Sequence, residues 1–157
     1  MSIVTLPEAK LHLRVTDAAE DALIAVYITA AEQSAVSVLD RNVYADGTAL
    51  ASAITAAPGI FAAAGITYDN AIDAANLLTE SADRAEALRV ASVNYLRASI
   101  VSRQTQDGIV ANEAIKAAVL LMIGHLYSNR EDVVSGISVA KLPNGAEWLL
   151  QPYKAYH

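Results

Sequence analysis

Three histidines are the first place to look for chemistry: His12, His125 and His157. None shares the His-Glu-x-x-His spacing that puts two imidazoles on one helix face for a metal. The chain has no Gly-x-Ser-x-Gly elbow, no glycine-rich phosphate loop and no Gly-x-Gly-x-x-Gly. With no cysteine, disulfides, thiolate zinc sites and cysteine nucleophiles are excluded. His125 lies in a nearly apolar stretch and is read as a packed histidine with one hydrogen-bonded nitrogen, in preference to a ligand or general base. Asp17, Glu20 and Asp21 could suggest a cation site, but acids in a first helical turn complement the helix dipole, and that account is preferred. Glu131 and Asp132 read as a solvated helix end. No catalytic residue, metal or cofactor is assigned, and an enzyme is not expected.

Two other groups of residues point to contacts instead. Arg89, Arg97 and Arg103 fall within about a 120° sector of one helix at 100° per residue. A solvated face is the plain reading. The functional reading is a subunit interface in which these arginines meet Asp17, Glu20 and Asp21 of a neighbouring copy. Such a head-to-tail contact closes into a ring when the rotation permits. A contact with passing DNA fits less well, because tight phosphate binding would hinder movement. The second group is Trp148, the only tryptophan, with Tyr153 and Tyr156 in the tail that ends Lys154-Ala155-Tyr156-His157. The plain reading places Trp148 inside as a cap on the core. The alternative makes this aromatic segment a partner anchor, since Trp and Tyr dominate interface hot spots.

The elements that must carry these residues are helical. Thr5-Leu6-Pro7-Glu8 is a capping box that opens a helix over about residues 5–14. A second helix, about 18–40, carries one stripe of Leu23, Val26, Tyr27 and Ala30 and another of Ile24, Ile28, Ala31, Ala35 and Leu39. Together they are too wide for one contact. Residues 43–110 form an Ala-rich insertion. Two short helices are expected around Pro58-Gly59, then a helical pattern from Tyr68 to Arg103 with a break near Thr79–Ser81 and Ser81 as its cap. Asp107-Gly108 signals a turn, and Asn112 caps an apolar helix over about 112–130. Residues 135–142 read as a loop or short strand. A last helix, about 146–151, ends at Pro152, leaving a tail over 152–157.

Bulk composition agrees. Alanine supplies about a fifth of the 157 residues, against seven glycines and four prolines, so the expected class is all-α, in one domain. From Gly47 to Tyr68 there is no charge, but Pro58, Gly59 and Gly65 interrupt it, and Ala, Ser and Thr fill it. It reads as a contact-forming helix of a protein without a membrane partner. The start Met1-Ser2-Ile3-Val4 lacks the basic and apolar regions of a signal peptide. The formal charge of −6 argues against phosphate gripping over the whole surface.

Three ordered segments resemble the head–tail connector, or adaptor, proteins of long-tailed bacteriophages and prophages. They are residues 4–15 with the acidic start Asp17–Asp21, residues 113–131 (Glu113-Ala114-Ile115-Lys116 through Arg130-Glu131), and Leu142-Pro143-Asn144-Gly145-Ala146-Glu147-Trp148 through Tyr153. The resemblance covers about residues 3–42 and 110–154. The Ala-rich middle departs from it, where many relatives carry strand-like sequence. The resemblance implies a homo-oligomeric ring, commonly of twelve, docked beneath the portal in the virion neck and assembled in the host cytoplasm. The ring extends the DNA channel without specific DNA binding and carries the stopper or tail-completion proteins. It also implies portal contact through the C-terminal segment, which makes Trp148, Tyr153, Lys154, Tyr156 and His157 the candidates. Two other readings stand beside it: a small helical enzyme or ligand-binding bundle with a pocket near His125, and a DNA-packaging accessory that binds through the arginine face.

Overall fold

A computed structural model describes residues 2–129 and 144–156, apart from the side chain of Asn144. Among the described residues six α-helices dominate: α1 Leu6–Leu13, α2 Asp21–Leu39, α3 Gly47–Asn76, α4 Ser81–Gln106, α5 Glu113–Ser128 and α6 Asn144–Leu150. A 3₁₀ turn, Gln151–Tyr153, follows α6. Two two-residue strands, β1 (Val43–Tyr44) and β2 (Ile109–Val110), are the additions to an otherwise all-α fold among the described residues. The chain divides into two compact units, Met1–Gly47 with Ile109–His157, and Thr48–Gly108.

The first unit is a helical core built on α2 and α5. Among the described residues, its largest fully buried side chains are Val4, Ile24, Leu39, Ile115, Val119, Ile123 and Leu150. On α2 the stripe Ile24, Ile28, Ala31, Ala35 and Leu39 is buried throughout, while Val26 on the other stripe is 62% exposed. Spacing of three and four residues put that stripe on one side, and burial against α5 selects it. Thr5 caps α1 through the expected box: it accepts from the Glu8 amide, and its own amide donates to Glu8 Oε2 at 2.7 Å. Asn112 caps α5 by accepting from the Ile115 amide at 2.9 Å. Glu32, midway along α2, draws in the N-terminal strand of chain. Its Oε1 accepts from the Ile3 amide at 2.6 Å and the Val4 amide at 3.1 Å.

β1 and β2 pair in parallel, Val43 beside Ile109 and Tyr44 beside Val110. The Ile109 amide donates to the Asn42 carbonyl at 2.9 Å, and the Ala111 amide donates to the Tyr44 carbonyl at 2.7 Å.

The second unit holds α3 and α4, joined by a connection so short that the helices run antiparallel. The two short helices expected around Pro58-Gly59 are instead one continuous helix with Pro58 inside it. Proline removes only one helical hydrogen bond, and the surrounding alanines favour helix strongly enough to carry the chain through. The break falls at residues 77–80, and Glu80, not Ser81, is the N-cap of α4. Tyr95 lies between Phe61 and Tyr68, with ring centroids 5.3 and 5.0 Å away. By length and composition α2 and α3 could each cross a membrane. For α2 the apolar stripe is spent in the core, whereas α3 leaves most of its surface open.

Candidate assembly and partner surfaces

The C-terminal helix presents its tryptophan outward. Ala146 and Leu150 are buried against the core, and four-residue spacing puts both on one side of α6. Trp148 lies between them in sequence, hence on the other side, and is 77% exposed. This corrects the expectation that Trp148 caps the core: Leu150 fills that place. Trp148 lines two shallow depressions, one with Gly145, Glu147 and Gln151 and one with Ala114, Pro152 and Tyr153.

Tyr153 is half-buried and packs on the core, Lys154 is exposed, and Tyr156 is exposed and accepts a hydrogen bond from Gln151 Nε2 at 3.0 Å. The tail is not loose, because Ala155 is buried and its amide donates to the Leu39 carbonyl at 2.8 Å. The structure thus brings Trp148 and Tyr156 to the surface on an anchored segment. His157 lies outside the described residues, as does the expected loop or strand over 135–142.

The acidic residues at the start of α2 have partners within their own unit. Asp17 Oδ1 accepts from the Ala19 amide at 2.7 Å, and Asp21 pairs with Lys10 at 2.5 Å. Glu20 accepts from the Tyr127 hydroxyl. These contacts organise the turn between α1 and α2, a use that residue type alone did not separate from an interface.

On α4, Arg89 pairs with Glu86 of the preceding turn at 2.7 Å, and the carboxylate in turn sits below its ordinary pKa because Arg89 donates to it. Arg103 has an interaction of its own, while Arg97 is exposed and forms no ion pair among the described residues. The more buried line of α4 runs through Ala91, Tyr95 and Ser102. At about 100° per residue, Arg89 and Arg97 lie on the opposite side, and Arg103 lies on the flank. Leu96 and Ile100 share that side and are exposed. The sequence pattern marked the arginines but missed these two, whose signal is an apolar residue inside a charged sector.

His125, expected to be packed, is exposed, and Asn129 Nδ2 lies 3.2 Å from its Nδ1. The buried side of α5 is taken by Ile115, Ala118, Val119 and Ile123, which leaves His125 on the rim. An apolar groove of about 230 Å³ runs beside it, lined by Ala31, Val38, Met122 and Leu126 with Ser34 and Glu147. No cluster of three or more His, Asp or Glu suited to a metal occurs among the described residues.

No curated protein and no solved structure matches the chain. The family described as phage gp6-like head-tail connector protein matches residues 3–58. That span includes the capping box of α1, the Glu32 anchor and the whole buried stripe of α2. The match, over about a third of the chain, is to the family that the sequence resembles, and it supports a connector role.

Proposed function

We propose that this chain is the ring-forming subunit of a phage neck, docked beneath the portal through its C-terminal aromatic segment. The ring, twelve-fold as is common in such necks, extends the DNA channel and offers its far side to a stopper or tail-completion protein. The subunit is structural and has no catalytic role. The observation that carries this reading is the mounting of Trp148. A tryptophan 77% exposed, on a helix whose Ala146 and Leu150 are buried, is a rigid apolar anchor awaiting a pocket. Tyr156 and Lys154 extend the same surface. Ring contacts draw on the arginine side of α4, where Leu96 and Ile100 supply apolar area inside a cationic rim, as at protein interfaces. A formal charge of −6 suits a channel through which DNA passes without being held.

The test is to mix the purified chain with the portal protein of the same phage and measure the mass of what forms. A complex heavier than the portal alone is expected. The Trp148→Ala/Tyr156→Ala chain should lose it while keeping its thermal melting curve. A wild-type chain that ignores the portal at micromolar concentrations sinks the reading.

A further inference from the structure

We infer that the α3–α4 hairpin is itself a ring contact: the outer side of α4 in one copy packs on the outer side of α3 in the next. This rests on the ring reading above and names the surface that would meet the arginines. The two outer sides are complementary in charge and alike in apolar content. On α3 the line facing α4 runs through Ala57, Phe61, Tyr68 and Ala75. On the far side of α3, between about 105° and 165° from that line at 100° per residue, are Ala62, Ile66, Asp69 and Asp73, with Asp69 nearest the flank. Ile66 is 64% exposed, and neither aspartate forms a hydrogen bond or ion pair among the described residues. On α4 the corresponding side carries Arg89, Leu96, Arg97 and Ile100, with Leu96 59% exposed.

The levels along the hairpin agree as well. Tyr95 touches both Phe61 and Tyr68, so it stands level with the midpoint between them, near Ala64 and Gly65. In an antiparallel pair, stepping six residues back along α4 to Arg89 means stepping six forward along α3. That is the level of Asn70 and Ala71, between Asp69 and Asp73. Leu96 and Ile100 fall opposite the stretch from Ile60 to Ala64, with Ile66 close by. A side-by-side neighbour preserves these levels, so charge meets charge and apolar meets apolar. Helical side chains lean toward their own N-terminus, which in antiparallel helices inclines Arg97 and Asp69 toward one another. The Arg89–Glu86 pair does not block the contact. It is exposed on both sides, and a guanidinium has donors enough for a second carboxylate.

A lipid surface is the other taker for an apolar α3. It fits less well, because the outer side holds Thr55 and Gly59 along with both aspartates, and α3 carries no basic residue for headgroups. The contact is heterologous, using two different patches, which is the kind that generates rings.

The experiment uses two full-length variants, Arg89→Glu/Arg97→Glu and Asp69→Lys/Asp73→Lys. Each makes both outer sides of its hairpin the same sign. Molar mass is measured for wild type, each variant and their equimolar mixture, alone and with the portal. The expected result is that each variant by itself needs at least about tenfold higher concentration to assemble. The mixture should assemble like wild type, since each variant then supplies the other's complement, and this rescue also shows that both are folded. If wild type assembles and both variants match it, the hairpin contact is overturned and the ring reading stands. Variants that fail alone and also fail when mixed, with helical content intact, overturn the contact too. A wild-type chain that assembles in neither condition overturns the ring reading and this contact together. Flotation of wild type with phosphatidylcholine vesicles would give the outer side of α3 to lipid and overturn the contact.

Discussion

Tyr127, in the last turn of α5, donates its phenolic hydrogen to the Glu20 carboxylate at the start of α2, 107 positions away in sequence. Glu20 is the N-cap residue of α2 yet makes no side-chain cap, because its carboxylate is committed to the tyrosine. Removing the hydroxyl with Tyr127→Phe leaves a part-buried carboxylate short of a donor. The expected loss is about 1–3 kcal/mol in chemical unfolding. A denaturation midpoint equal to wild type would show that water replaces the tyrosine at no loss.

Glu32 holds the first residues of the chain by accepting from two successive amides, Ile3 and Val4, and from the Ser2 hydroxyl. Val4 is fully buried, so its position in the core depends on this clamp. Glu32→Ala should lower stability by about 2–3 kcal/mol, and Glu32→Gln by less, since the amide keeps one acceptor. Hydrogen exchange at Ile3 and Val4 is the direct readout: faster exchange is expected in the alanine variant. Unchanged protection at both amides would refute the clamp.

The capping box gives a pH dependence whose sign is fixed. Glu8 sits below its ordinary value of 4.5 because the Thr5 hydroxyl and then the Thr5 amide donate to it, with Lys116 adding a smaller attraction. A depressed carboxylate contributes stability that is fully present above about 4.5 and is lost as pH falls through the lower, folded value. Glu8 is exposed, which limits the effect to no more than about 1 kcal/mol. Glu8→Gln should flatten the acid limb of a stability–pH curve by that amount. The same acid limb in wild type and variant would assign it to other carboxylates.

Pro58 interrupts the hydrogen bonding of α3 at a solvent-exposed position. Pro58→Ala should restore the missing amide donor and raise the stability of the α3–α4 unit by about 1–3 kcal/mol. Thermal melting followed by circular dichroism measures it. A variant that melts at or below the wild-type temperature would mean the helix needs its proline geometry there.

Much of the first unit could be read in the residues. The Thr5–Glu8 box, the Asn112 cap and the stripe from Ile24 to Leu39 are local patterns of spacing and side-chain chemistry, and each appears where expected. What escaped reading depends on partners distant in sequence. Nothing near Glu32 announces the Ile3 and Val4 amides, and nothing near Glu20 announces Tyr127. Trp148 was misplaced for a related reason. Size and apolarity favour burial, but in a helix as short as α6 only one side reaches the core, and Ala146 and Leu150 occupy it. In α3 the proline and glycine signals point to a break, whereas the alanines around them are enough to keep the helix whole.

The parallel pair β1–β2 sets the two points where the α3–α4 segment leaves and rejoins the chain. Tyr44 and Ile109 are one register step apart on neighbouring strands, or about 6 Å by ordinary strand spacing. Departure and return therefore share one doorway. A segment attached in this way can be lengthened, shortened or exchanged during evolution while α1, α2, α5 and α6 keep their packing.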